Sequence, residues 1–172
     1  MAKFSECQSI MPVSAAVSPA GKLTIAGHDL DGLVAQYDSP LYVYDGATIR
    51  HQVEHIRSEF ACYTGEWEIT YAGKAYLSLR FARKMAALGL GVDVASLREL
   101  MMAKRAGFDP ERVHLHGNNK SLEALQLAAE WDIHSVVLDS LEEMGFLSQI
   151  AQLLGKQVRV WLRITPGMAI DN

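Results

Sequence analysis

The sequence predicts an α/β fold, a parallel β-sheet covered by helices, and three observations predict it. From Trp67 onward, strand-like and helix-like segments alternate about five times with short links between them. Two helical segments are bracketed by start and stop signals: Ser96 and Glu99 before one and Gly107 after it, Ser140 and Glu143 before the other and Gly155 after it. The strand segments set aliphatic residues against polar or small ones with a period of two. Right-handed crossovers then allow a doubly wound sheet or a (β/α) barrel. Five units are too few for an eight-stranded barrel, and no helix follows Ile164 to cover the last strand, so the sequence reads as unfinished.

Taken in order, residues 1–21 form a loose leader rich in Ser, Ala and Pro, without the pattern of a secretory signal. Residues 22–44 read as extended, with strands at Lys22 to Ile25 and at Leu41 to Tyr44, and breaks at Gly27, Asp31-Gly32 and Ser39-Pro40. Asp45 can cap a helix whose apolar stripe is Ile49, Val53, Ile56 and Phe60. His51 and His55, one turn apart on it, lack a third ligand and read as solvated. The alternation proper runs through a strand from Trp67 to Lys74, a helix from Ser78 to Leu88, a strand from Gly91 to Ala95 and a helix from Leu97 to Ala106. It continues with a strand from Val113 to His116, a helix from Leu122 to Trp131, a strand from Ser135 to Asp139, a helix from Leu141 to Leu154 and a strand from Val158 to Ile164.

The composition narrows the function classes. The 172 residues suffice for a domain with a real core, and 49% hydrophobic with 21% charged residues is ordinary for a soluble protein. A net charge of -4 argues against a nucleic-acid groove, and no apolar run reaches membrane-spanning length. Cys7 and Cys62 offer neither metal-ligand spacing nor a disulfide framework, and Cys62 reads as a bystander thiol. A reducing cytoplasm is the simplest setting.

Lys74 carries the chemistry. It ends a strand-like run with no other charge after Glu68, and it shares a face with Thr70 and Ala72, both small. An unpaired lysine partly buried there is costly, and desolvation is also what makes an amine able to condense with an aldehyde. If the aliphatic faces of the other strands meet the helices, then Lys74, Asp93, His116 and Arg163 all point inward near carboxyl ends, where parallel α/β folds place their sites. Asp93 can pair with Lys74 or with a cationic cofactor, and Arg163 can grip an anion by a forked contact or neutralise Asp93.

These segments resemble a known family. Tyr71-Ala72-Gly73-Lys74-Ala75 is similar to the cofactor-lysine motif of the pyridoxal-phosphate-dependent decarboxylases built on an alanine-racemase-like barrel. Gly91-Val92-Asp93-Val94-Ala95-Ser96, followed by Glu99-Leu100, resembles that family's second strand and helix start. His116-Gly117-Asn118-Asn119-Lys120-Ser121 is similar to the stretch typical of its diaminopimelate decarboxylases. Leu162 to Gly167 and Ser39 to Asp45 resemble a later strand end and the opening segment. The likeness runs from about Leu23 to the terminus, and the order and spacing of five pieces carry it.

The resemblance implies an incomplete (β/α)8 TIM barrel of about five units. Residues 22–44 would belong to a β domain, and residues 45–172 to a C-terminally truncated barrel that binds pyridoxal 5'-phosphate. It implies a homodimer that decarboxylates meso-diaminopimelate to L-lysine. Lys74 would hold the cofactor covalently, with Asp93, His116 and Arg163 binding it. Tyr76 stands where the family usually has Asn. The ring-stacking histidine, the Gly-rich phosphate loop, the acid facing the pyridine nitrogen, the substrate-binding arginine and tyrosine, and the cysteine donated across the dimer would all lie past Asn172. Little decarboxylase activity is therefore expected of these 172 residues alone. The rival readings are an arginine, ornithine or carboxynorspermidine decarboxylase, a racemase or single-domain cofactor carrier, and a non-catalytic binding protein that kept the barrel.

Overall fold

The computed structural model describes residues 8–167. Cys7, the first seven residues of the expected leader and the terminal Ile170-Asp171-Asn172 lie outside that range. The chain divides into two compact units, residues 1–65 and residues 66–172.

The first unit is a small antiparallel sheet with two helices. Strands β1 (Ala15–Val17), β2 (Leu23–Ile25) and β3 (His28–Asp29) pair in that order. Helix α1 (Leu30–Tyr37) follows, and α2 (Gly46–Glu59) comes later. Three sequence expectations are corrected. The leader contains β1, because Ala15 to Val17 pair with the second strand. A helix occupies 30–37, where a break was expected, because Asp29 caps it by accepting from the Asp31 amide and the lone Gly32 is tolerated inside. Leu41 to Tyr44 joins no sheet among the described residues.

Asp45 caps α2 as expected, accepting from the amides of Ala47 and Thr48 at 3.1 Å each. Of the anticipated stripe only Val53 is buried, while Ile56 and Phe60 stay exposed.

The second unit is the parallel sheet. Its strands are β4 (Thr70–Ala72), β5 (Gly91–Val94), β6 (Val113–Leu115), β7 (Ser135–Leu138) and β8 (Val160–Leu162), paired in strict sequence order. Helices α3 (Leu79–Ala87), α4 (Leu97–Ala106), α5 (Leu122–Trp131) and α6 (Leu141–Leu154) link them. A doubly wound sheet reverses its strand order at a switch point; the unbroken order here is the winding of a barrel. Ser78, Ser96, Ser121 and Ser140 each cap a helix through the side-chain oxygen, and Gly107 and Gly155 end α4 and α6 in the left-handed conformation.

The core lies between the sheet and its helices. Val92, Val94, Val113, Leu115, Val136 and Leu138 meet Ala82, Met85, Leu100, Ala103, Leu125, Ala128 and Leu147, all buried. On β8 the same face is bare: Val160 is 41% and Leu162 65% exposed. No helix among the described residues is long and apolar enough to cross a membrane.

Candidate active site

The ladder between β4 and β5 ends at the pairing of Ala72 with Asp93, and the chain then turns into a short 3-10 helix, Gly73–Ala75. Lys74 therefore sits on a turn just past the strand and not on the strand itself. Gly73 is required there, since a Cβ on it would lie 2.7 Å from the Asp93 carbonyl oxygen. Tyr76 is anchored from behind: the Tyr71 phenol donates to its carbonyl at 2.8 Å, and its ring meets Phe81 edge-on at 5.3 Å. It does not line the cleft into which Lys74 projects.

That cleft holds about 410 Å³ and is lined by Ala72, Gly73, Lys74, Asp93, Val94, Ala95, His116, Gly117 and Arg163. All four sequence-predicted site residues thus meet at the carboxyl ends of the strands. Asp93 and His114 are register partners on one face of the sheet, as parity anticipates, whereas Lys74 reaches the cleft from the turn past its strand. A second cavity of the same size lies against α6 and β8, but Leu138, Met144, Leu147 and Val160 make much of its wall, and it gathers no comparable set of charges.

The charges of the cleft pair differently from expectation. Asp93 Oδ1 lies 3.3 Å from His116 Nε2, and Arg163 Nη1 lies 3.4 Å from Asp139 Oδ1. Neither a Lys74–Asp93 nor an Asp93–Arg163 ion pair forms among the described residues. Strand order separates Asp93 from Arg163, because β6 and β7 stand between β5 and β8, while Lys74 leaves the ladder on the turn that follows Ala72. Lys74 is exposed and not partly buried as anticipated, since no further strand faces it among the described residues.

Two polar networks escaped the sequence reading. Below the cleft, His114 is buried between Ser135, whose Oγ is 2.9 Å from Nδ1, and Glu68, whose Oε1 is 2.8 Å from Nε2. A carboxylate only accepts, so Nε2 carries the proton and the Ser135 hydroxyl can donate to Nδ1. The Trp161 ring stacks on the imidazole at 4.8 Å. Glu68 has the same parity as Thr70 and Ala72, the signal that could have placed it beside His114. Above, Lys120 and Glu143 form a buried ion pair at 2.9 Å. The capping-box position of Glu143 was legible, but its partner was not.

The donor set suits a small anionic aldehyde. A primary amine stands on a turn, a guanidinium follows the end of β8, and the small residues Ala72, Gly73, Ala95 and Gly117 line the space with them.

The family described as pyridoxal-dependent decarboxylase, pyridoxal binding domain, matches residues 46–172. The chain is 40% identical over 148 residues to a diaminopimelate decarboxylase of Bacillus subtilis, covering 86% of this chain and 34% of that protein. It is 35% identical over 170 residues to one of Synechocystis, covering 94% and 36%. Among solved structures it resembles diaminopimelate decarboxylase of M. jannaschii in complex with L-lysine, with a TM-score of 0.81, 28% identity, and 92% and 38% of the two chains covered. The chain spans about a third of the length of the relatives it matches.

Proposed function

The chain belongs to the pyridoxal-dependent decarboxylases, with that family's pyridoxal-binding domain at residues 46–172, and we propose that it forms the cofactor-binding part of an amino-acid carboxy-lyase. The supporting observation is that Lys74, Asp93, His116 and Arg163, far apart in sequence, line one cleft at the carboxyl ends of parallel strands.

In this reading Lys74 holds the aldehyde of pyridoxal 5'-phosphate through its amine, and Arg163 attracts an anionic group of cofactor or substrate. Asp93 and His116 would stand beside the cofactor as a close pair, Oδ1 3.3 Å from Nε2. Small residues around them let a planar group lie against the backbone. When bound, the cofactor supplies a sink for the electron pair left as a carboxylate departs. Lys74 and His116 are the groups of this cleft able to hand a proton to the carbon that lost it.

For the whole protein we assign meso-diaminopimelate as substrate: one carbon–carbon bond breaks, carbon dioxide leaves, and a proton takes its place to give L-lysine. The relatives named diaminopimelate decarboxylase and the similar structure holding L-lysine support this choice. A homodimer, as the family resemblance implies, working in the reducing cytoplasm that the cysteine content suggests, completes the reading.

The test is borohydride reduction of the protein mixed with pyridoxal phosphate, followed by peptide mapping. Label on Lys74, abolished by Lys74→Ala, is the expected result. Label elsewhere, or none, rejects the site. Assay of the protein expressed from its natural reading frame against meso-diaminopimelate, ornithine and arginine decides the substrate, and light scattering decides the dimer.

A further inference from the structure

Lys120 is the most deeply buried charge near the cleft, its side chain 1% exposed, and Glu143 beside it is 9% exposed. The ammonium donates to the carbonyls of Gly117 and Val137 at 2.6 Å each and to both oxygens of Glu143 at 2.9 Å. Its three N–H groups are therefore all engaged. Glu143 Oε2 also accepts from the Asp139 amide at 3.1 Å. Two chains of contact run outward from this pair. One passes through Gly117 to His116, whose amide donates to Val94 and whose ring meets Asp93. The other passes through Asp139 to Arg163, whose amide donates to Leu138 and whose guanidinium meets the Asp139 carboxylate.

We propose that Lys120 and Glu143 are a positioning pair that fixes the end of β6 against the end of β7, which in turn holds the end of β8, so that His116 and Arg163 face the cleft in one arrangement. The proposal rests on the cofactor reading above, because the arrangement matters only if the cleft is used. The physical reason is that a buried ion pair gains little net stability over apolar side chains of equal volume. What it supplies is direction. Charge-assisted bonds to the Gly117 and Val137 carbonyls and the Asp139 amide set the ends of β6 and β7 at a defined distance, which apolar contacts cannot do. Gly117 adds to the constraint: with φ at 105°, in the region that favours glycine, it lets the loop pass so near the Ala95 carbonyl that a Cβ would lie 3.0 Å from it.

The test replaces both charges at once, Lys120→Met with Glu143→Leu, so that neither is left unpaired. The thermal midpoint is expected to fall, because the Gly117 and Val137 carbonyls and the Asp139 amide lose these partners, so both proteins are compared well below it. Amide exchange at His116 and Arg163 is expected to speed about tenfold relative to Leu115 and Val136, and the pyridoxal phosphate concentration needed for half-maximal labelling of Lys74 to rise about tenfold. Exchange that rises uniformly, or labelling that does not change, overturns the proposal. If the parent protein takes no label at Lys74, the cofactor reading falls, while the exchange comparison still decides the positioning role. If the paired variant does not fold, Glu143→Gln carries the same comparison, since it keeps an acceptor for Lys120 but not all the carboxylate's bonds.

Discussion

Asp93 Oδ1 stands 3.3 Å from His116 Nε2, joining the third residue of β5 to the residue just past β6 at the mouth of the cleft. Both side chains are more than a third exposed, so the pair contributes little to folding. Its effect is to keep the imidazole beside the space into which Lys74 projects. Asp93→Ala is expected to weaken pyridoxal phosphate binding about tenfold, read from labelling of Lys74, while the thermal midpoint barely moves. Equal labelling in parent and variant would rule out a binding role for Asp93.

Gly73 is the tightest point of the site. An alanine there brings its Cβ to 2.7 Å from the Asp93 carbonyl, which is backbone and cannot swing away. Gly73→Ala is expected to cost about 1–3 kcal/mol in urea unfolding and to lower Lys74 labelling, because the turn carrying the amine must shift. A variant with parental stability and labelling would mean that β4 and β5 part more easily than their ladder suggests.

The network around His114 is expected to matter for stability alone. Ser135 and His114 are buried, so Ser135→Ala leaves Nδ1 without its donor and is expected to cost about 1–3 kcal/mol. Cofactor labelling should stay at the parental level once both proteins are fully folded. An unchanged urea midpoint would show that this hydrogen bond adds nothing to folding.

Asp45 gives the first unit an acid-sensitive element. Burial pushes its carboxyl up, but hydrogen bonds from Thr48, Ser14 and the amides of Ala47 and Thr48 outweigh it and lower the pKa from the usual 3.8 to about 2. A group whose folded pKa is depressed stabilises the fold fully above its unfolded value and loses that contribution as the pH falls through the folded value. The contribution is about 2 kcal/mol at neutral pH. Compared with Asp45→Asn, the parent should be more stable at pH 6, with the gap shrinking between pH 4 and pH 2. A gap that does not change with pH removes this account.

The bare strand β8 predicts association. Leu162 on β8 and Ile164 just past it are 65% and 79% exposed, and β8 has no further neighbour among the described residues. Such an edge offers unpaired backbone groups beside apolar side chains. The 172-residue chain is expected to sediment as oligomers, and Leu162→Lys with Ile164→Lys to shift it toward monomer. A monomeric parent at micromolar concentration would contradict this.

The sequence by itself determined whatever depends on near neighbours. The serine caps and glycine stops bounded the helices, because capping bonds span three residues, as from Glu99 to Ser96. The period of two put Asp93, His116 and Arg163 on one face, because a strand alternates whatever lies beside it. Local signals misread residues 30–37, where one cap outweighed a glycine. Only the tertiary structure decided which charge meets which. Glu68 reaches His114 across 46 residues, Lys120 reaches Glu143 across 23, and Asp93 turns to His116 while Arg163 turns to Asp139. Those choices follow from the register of strands separated by whole helices, a distance over which sequence periodicity carries no phase.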